Sequence, residues 1–171
     1  IIYPTLNEMD KRNIPFQGIL YAGLMITNEG PKLIEYNVRF GDPECQVIMT
    51  RIKSNLFEAI LAATNHTLEN FSIRFYDDVA LTVVMASKGY PGEYKKNTVI
   101  RGIEKINNIP NIKVFHAGTA KNNSGQIVSN GGRVLSLTAK AKDILAARKI
   151  VYEAIKKIKW DEGFYRKDIG K

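Results

Sequence analysis

Two strand-like segments, Gln17 to Thr27 and Lys32 to Arg39, flank the turn Asn28-Glu29-Gly30, and the second stops abruptly at Gly41-Asp42-Pro43-Glu44. That pattern constrains the chain to an antiparallel hairpin: the glycine can take positive φ in the turn, and the proline cannot continue a strand ladder. Side chains alternate faces along extended backbone. Glu35, Asn37 and Arg39 are therefore expected on one flank, and Ile34, Tyr36 and Val38 in the opposite layer. A carboxylate beside an amide oxygen suits Mg²⁺, which takes oxygen ligands and is usually held by one or two protein carboxylates plus phosphates. Arg39, about 7 Å further along by strand rise, suits a neighbouring phosphate or acyl phosphate. A strand face that merely meets solvent alternates in the same way, and spacing alone does not separate the two readings. Glycine, Asp-Pro and a second acid then form a restricted turn that fixes where Asp42 and Glu44 point.

Around the hairpin, residues 5–12 read as the end of a helix closed near Asn13 and Pro15, with no capping residue ahead of Ile1. Glu44 to Lys53 and Leu56 to Thr64 carry apolar residues at helical steps. The pattern breaks across Asn65 to Asp78, so a boundary is expected there, giving segments 1–66 and 67–171. Val79 to Ala86 is nearly all apolar and suits a strand covered on both faces. Ile112 to Thr119, Gln126 to Ser129 and Arg133 to Thr138 are predicted to form an antiparallel meander, separated by Asn122-Asn123-Ser124-Gly125 and Asn130-Gly131-Gly132. Lys142 to Lys159 is the clearest helix, its stripe of Ile144, Ala147, Val151, Ala154, Ile155 and Ile158 expected to pack on that sheet. The fold class is α+β.

The balance of 25 basic against 17 acidic residues, a net charge of +8, invites a nucleic-acid reading. The lysines are spread out, concentrating on the polar face of the last helix, and no RNP-like aromatic strand, KH loop or zinc knuckle accompanies them. A basic nucleic-acid-binding module is thus an alternative of lower rank. One cysteine, Cys45, cannot form an internal disulfide and points to a reducing, cytoplasmic setting. No apolar run approaches a membrane span and no charged-then-apolar leader opens the chain, so neither insertion nor export is expected.

The run Arg39-Phe40-Gly41-Asp42-Pro43-Glu44, with Gln46 two residues on, resembles the signature of the phosphoribosylamine–glycine ligase family, ATP-grasp enzymes of purine synthesis. Gly18-Ile19-Leu20-Tyr21-Ala22-Gly23-Leu24-Met25-Ile26 is similar to the family's preceding strand, and Ser87-Lys88-Gly89-Tyr90-Pro91-Gly92 to its glycine-rich turn. Phe115-His116-Ala117-Gly118-Thr119, Asn130-Gly131-Gly132-Arg133-Val134-Leu135 and Arg166-Lys167-Asp168-Ile169-Gly170 match as well. The match is collinear from end to end, but covers only the C-terminal part of the family's usual length.

The resemblance implies the C-terminal part of an ATP-grasp fold followed by a small α+β domain. It implies ATP-dependent ligation of glycine to 5-phosphoribosylamine through an acyl phosphate. The expected partners are ATP, glycine, the sugar-phosphate amine and the N-terminal part of the same enzyme; Mg²⁺ or Mn²⁺ is the expected cofactor, and the assembly a monomer. Without the N-terminal part the chain is expected to be inactive. Glu35 and Asn37 become the metal ligands and Arg39 the group on the transferred phosphoryl. Asp42 and Glu44, which would repel phosphates, are assigned to ribose hydroxyls or the amine, and Gly41 to close approach of ligand and backbone. Each has a plainer reading: Asp42 as a turn residue, Glu44 as charge at a helix N-terminus, Gly41 as a turn glycine. Gly131, Gly132 and Arg133 form a candidate anion nest, although a hairpin glycine pair has the same sequence. His66 and His116 lack the spacing of a metal pair. A different ATP-grasp carboxylate–amine ligase stands as the nearer alternative.

Overall fold

The hairpin forms, and it is shorter than the apolar pattern suggests. In the computed structural model, which describes residues 1–171, β1 is Tyr21–Thr27 and β2 is Gly30–Asn37, paired antiparallel from Thr27↔Gly30 to Tyr21↔Asn37. The cause of the shortening lies in the partner: Gly18 at φ 127 breaks the extension before Tyr21, so nothing pairs with the backbone beyond Asn37. Arg39 therefore sits on the bend after β2, and the alternation expected to align it with Glu35 and Asn37 stops before it. A register shift between Gly23 and Leu24 leaves Ile34 as the bulged residue of β2. The expected inner layer is not there for all three alternate residues: Tyr36 is half-buried, whereas Ile34 and Val38 are exposed at 65% and 73%.

The chain divides into two compact units, Ile1–Cys45 with Ile52–Phe75, and Gln46–Arg51 with Tyr76–Lys171. In the first, helix α1 (Ile2–Lys11) is tied to the flank of β2 opposite Glu35. The Tyr36 hydroxyl shares a 2.6 Å hydrogen bond with Thr5 Oγ1 and donates to the Ile1 carbonyl at 3.2 Å. Helix α2 (Glu44–Arg51) follows the turn directly, and from Gln46 onward it belongs to the second unit. Helix α3 (Leu56–Thr64) is capped by Asn55, whose side chain accepts from Phe57 N at 3.0 Å.

The second unit is built on β3 (Val79–Ser87), β4 (Ile112–His116), β7 (Arg133–Ala141) and β8 (Gly163–Tyr165), in the order β4-β7-β3-β8 and antiparallel throughout. A separate ribbon pairs β5 (Thr119–Lys121) with β6 (Ile127–Ser129). This replaces the expected meander. The Asn130-Gly131-Gly132 segment does not turn β6 back onto β7; Asn130 N donates to Gly118 O, and Gly118 N to Arg133 O, folding it against the Ala117-Gly118 corner. Strand β3 is covered chiefly on one face: Leu81, Val83 and Met85 are buried while Thr82 and Val84 are half-exposed. Strand β7 instead buries both faces, with Leu135, Leu137 and Ala139 at 0% on one and Val134, Ser136 and Thr138 at 2% or less on the other.

Helix α4 (Ile144–Ile155) lays Ala147, Val151, Ala154 and Ile155 on β3 and β7, and Asp143 caps it by accepting from Ala146 N at 2.8 Å. It ends four residues before the predicted Lys159, because Lys159 leaves the helix to exchange backbone hydrogen bonds with Arg101. Ile158 and Trp160 then close the core, with Trp160 Nε1 donating to Thr98 Oγ1 at 2.7 Å.

Candidate functional site

Cross-strand neighbours in an antiparallel ribbon present their side chains on the same face. The pairs Tyr21↔Asn37 and Gly23↔Glu35 therefore assemble one flank of four positions on the first unit. Glu35 and Asn37 do lie together there: Asn37 Nδ2 donates to Glu35 Oε1 at 2.9 Å. Gly23 makes room for this arrangement, since a Cβ at that position would stand 3.2 Å from Glu35 Cγ. The bond commits one oxygen of the carboxylate and the nitrogen of the amide, leaving Glu35 Oε2 and Asn37 Oδ1 outside it, on a flank where Glu35 is exposed and Asn37 half-buried. Two hard oxygen donors of this kind fit Mg²⁺, which retains several waters and accepts the rest of its shell from phosphates. Among the described residues no group of three or more His, Cys, Asp or Glu side chains could hold a metal ion, so a cation here needs ligands from elsewhere.

Beyond the strand end the turn brings a second carboxylate back to the same place. Gly41 is buried, and the space its Cβ would fill is taken by Glu44, whose Oε2 a Cβ would overlap and whose Cδ would lie 3.0 Å away. The volume expected to admit a ligand over Gly41 is thus occupied by a side chain of the chain itself. Cys45 N donates to Gly41 O at 2.8 Å, locking the turn to the first residues of α2. The Tyr21 hydroxyl donates to Glu44 Oε1 at 3.3 Å. The negative charge of Glu44 is the main influence holding the Tyr21 phenol above its ordinary value; burial, the hydrogen bond to Glu44 and the charge of Glu35 act in the same direction.

Arg39 is exposed on its bend, and its Nη1 donates to the adjacent Phe40 carbonyl at 2.8 Å. Asp42 is half-buried in the turn, joined to Pro43 by a cis peptide bond. Arg133 is an exposed residue at the start of β7, in the second unit. The turn before it is tightly packed: Gly131 Cα and Gly118 Cα approach so closely that a Cβ on Gly131 would be 3.0 Å from Gly118 Cα. His116 is exposed with Nδ1 3.1 Å from Thr119 Oγ1, and His66 sits at φ 56.

Tyr21 is the residue that the alternation argument misses. Its signal was present in the spacing Tyr21-Ala22-Gly23, which places an aromatic and a side-chain-free position on the polar flank of a strand.

Residues 1–45 match the family model for the phosphoribosylglycinamide synthetase ATP-grasp (A) domain, and residues 80–171 that for the phosphoribosylglycinamide synthetase C domain. The phosphoribosylamine–glycine ligase of Brucella melitensis is 54% identical over 99% of this chain and 40% of its own length. The crystal structure of the phosphoribosylamine–glycine ligase of Thermotoga maritima superposes with a TM-score of 0.79 at 33% identity, over 96% of this chain and 40% of that one. A biotin carboxylase domain of Hydrogenobacter thermophilus 2-oxoglutarate carboxylase, in complex with MgADP, ADP and bicarbonate, shares the fold at a TM-score of 0.61 and 15% identity, over 95% and 36% of the two chains. The chain spans about 40% of the length of the curated ligases that it matches first. With its hairpin segment matching the A domain and more than half its length matching the C domain, the chain belongs to the phosphoribosylglycinamide synthetase family.

Proposed function

We propose that this chain is the C-terminal portion of a phosphoribosylamine–glycine ligase. In that reaction ATP phosphorylates the carboxylate of glycine, and the amine of 5-phosphoribosylamine attacks the acyl carbon, loses a proton and expels phosphate. The observation that carries the reading is the Glu35–Asn37 pair, side by side on the hairpin flank within the segment that matches the ATP-grasp domain.

Glu35 and Asn37 would hold Mg²⁺ with the side-chain oxygens that their mutual hydrogen bond leaves uncommitted. The cation supplies charge neutralisation at the phosphate oxygens, the dominant requirement of phosphoryl transfer. Arg39, exposed on its bend, places a guanidinium on the transferred phosphoryl group. Asp42 and Glu44 are anionic and accept hydrogen bonds from the ribose hydroxyls and the amine, while Gly41 seats Glu44. Arg133, with Gly131 and Gly132, is the second unit's own candidate for an anion contact. The membership of residues 1–45 in an ATP-grasp domain supports ATP as the phosphoryl donor. No helix is long and apolar enough to cross a membrane. The Asp42-Pro43-Glu44 turn, which the family resemblance puts on the substrate side rather than the shared nucleotide side, favours this ligase over other ATP-grasp carboxylate–amine ligases.

The test is ADP release by the complete protein with glycine and freshly generated phosphoribosylamine, against the Glu35→Gln variant. A fall of about 100-fold or more in kcat is expected, on the order of 3 kcal/mol of transition-state stabilisation. An unchanged rate removes Glu35 from the cation site. The 171 residues alone are expected to give no ligase turnover.

A further inference from the structure

We infer that Tyr21 is a positioning residue that sets the separation of two carboxylates with different tasks, Glu35 on the cation side and Glu44 on the amine side. The inference rests on the roles proposed above for those two acids and adds the residue that holds them apart.

The ring of Tyr21 is seated in a slot whose walls are two side-chain-free positions. A Cβ on Gly23 would lie 3.7 Å from Tyr21 Cε1, and a Cβ on Gly41 would lie 3.1 Å from Tyr21 Cε2, so opposite edges of one ring face the two glycines. Each glycine also carries one of the acids: Gly23 supports Glu35, whose Cγ would be 3.2 Å from its Cβ, and Gly41 supports Glu44, whose Cδ would be 3.0 Å away. Tyr21 is thus flanked by Gly23 and Glu35 on one edge and by Gly41 and Glu44 on the other. Its hydroxyl engages Glu44 alone, donating to Oε1 at 3.3 Å, whereas Glu35 is held by Asn37.

This separation has a chemical purpose. Two carboxylates allowed to converge would compete for one cation, and the acid needed to accept a hydrogen bond from the incoming amine would be withdrawn from it. A rigid aromatic between them, fixed by packing on both edges and tethered at its tip to only one, keeps Glu44 out of the cation shell and turned toward the amine. A leucine or phenylalanine would fill the slot and leave Glu44 untethered. The hydroxyl therefore matters for the amine, and the ring for the spacing.

The two functions separate by variant. In the complete protein, Tyr21→Phe deletes the tether and keeps the spacer; it is expected to raise the KM for phosphoribosylamine roughly 3- to 10-fold, with Mn²⁺ affinity, read by the EPR signal of free Mn²⁺ in the presence of ADP, unchanged. Glu44→Gln should do the same, and the double variant should be no worse than either, because both remove one interaction. Gly23→Ala, which presses on the Glu35 stem, should weaken Mn²⁺ binding and leave the amine KM unmoved. Tyr21→Phe with both quantities at their wild-type values overturns the inference. So does an equal loss of Mn²⁺ affinity and amine KM together with a lower melting temperature, which marks Tyr21 as packing only. Glu35→Gln is the control for the underlying reading: if it leaves Mn²⁺ binding intact the cation site itself is misplaced, whereas if it abolishes binding while Tyr21→Phe is silent, the positioning role of Tyr21 alone is lost.

Discussion

The Tyr90 ring occupies the place that a side chain at position 132 would need: a Cβ on Gly132 would overlap Tyr90 Cδ2 and stand 3.0 Å from Cγ. The ring therefore closes down on the Gly131-Gly132 turn, immediately before Arg133. Ser87 holds the turn from below, its Oγ donating to Gly131 O at 2.8 Å and its N to Gly132 O at 2.8 Å.

Gly132→Ala forces that ring to move and is expected to cost about 1–3 kcal/mol, the range for overpacking a well-filled site. The matching outcome is a lower urea midpoint with an unchanged slope. If the clash with Tyr90 is the cause, adding Tyr90→Ala should recover part of the loss, so the two changes together cost less than their sum. Additive losses would place the strain elsewhere.

A second expectation concerns the paired hydroxyls of Thr98 and Ser129. Trp160 is 7% exposed, and its Nε1 donates to Thr98 Oγ1, which in turn shares a 2.7 Å hydrogen bond with the fully buried Ser129 Oγ. Trp160→Phe keeps most of the ring and removes the donor, leaving a half-satisfied hydroxyl pair. It should destabilise the protein by roughly 1–3 kcal/mol, measured by chemical denaturation.

Which parts of this architecture could be read from residues alone follows from how far each signal reaches. Glu35 and Asn37 share a flank because alternation along extended backbone is local and survives the bulge at Ile34. Arg39 escaped the same argument because a strand ends where its partner does, and that limit was set by Gly18 and Tyr21, some twenty residues earlier in the chain. The stripe on α4 was legible for the same local reason, and its early stop was not, since Lys159 is drawn off by a bridge to Arg101. Strand β8 is three residues long and pairs with Met85, Ala86 and Ser87, so no periodicity marks it. Glu44 reads as a helix-start acid by position, which it is; that its carboxylate also folds over Gly41 onto Tyr21 depends on two glycines brought together only by the turn.

Helix α4 offers a direct check on the packing of the second unit. Asp143 accepts from Ala146 N at 2.8 Å, satisfying a backbone donor at the helix start. Asp143→Ala is expected to lower global stability by about 1 kcal/mol, and Asp143→Asn, which retains a capping oxygen, by much less. Because α4 carries four buried residues against β3 and β7, the loss should appear in the main unfolding transition rather than as local fraying. Equal midpoints for the alanine variant and the wild type would show that the cap does not stabilise the helix.

The pair near the end of the chain predicts a pH dependence with a definite sign. Arg166 grips Asp168 with both arms of the guanidinium, Nε to Oδ1 at 3.1 Å and Nη2 to Oδ2 at 2.6 Å. The hydrogen bonds from Arg166 are the main reason the Asp168 carboxyl lies below its usual 3.8 in the folded protein. A carboxyl depressed on folding binds protons more readily in the unfolded chain, so its contribution to stability is complete above the unfolded value and is lost as pH falls through the folded one. Both partners are largely exposed, which makes the effect small and best read as a difference. The gap in melting temperature between wild type and Asp168→Asn should stay constant from neutral pH down to about 4 and close below it. Salt should narrow it, since screening weakens an exposed pair. A gap that widens on acidification would mean that Asp168 is stabilised by something other than its ionised grip on Arg166.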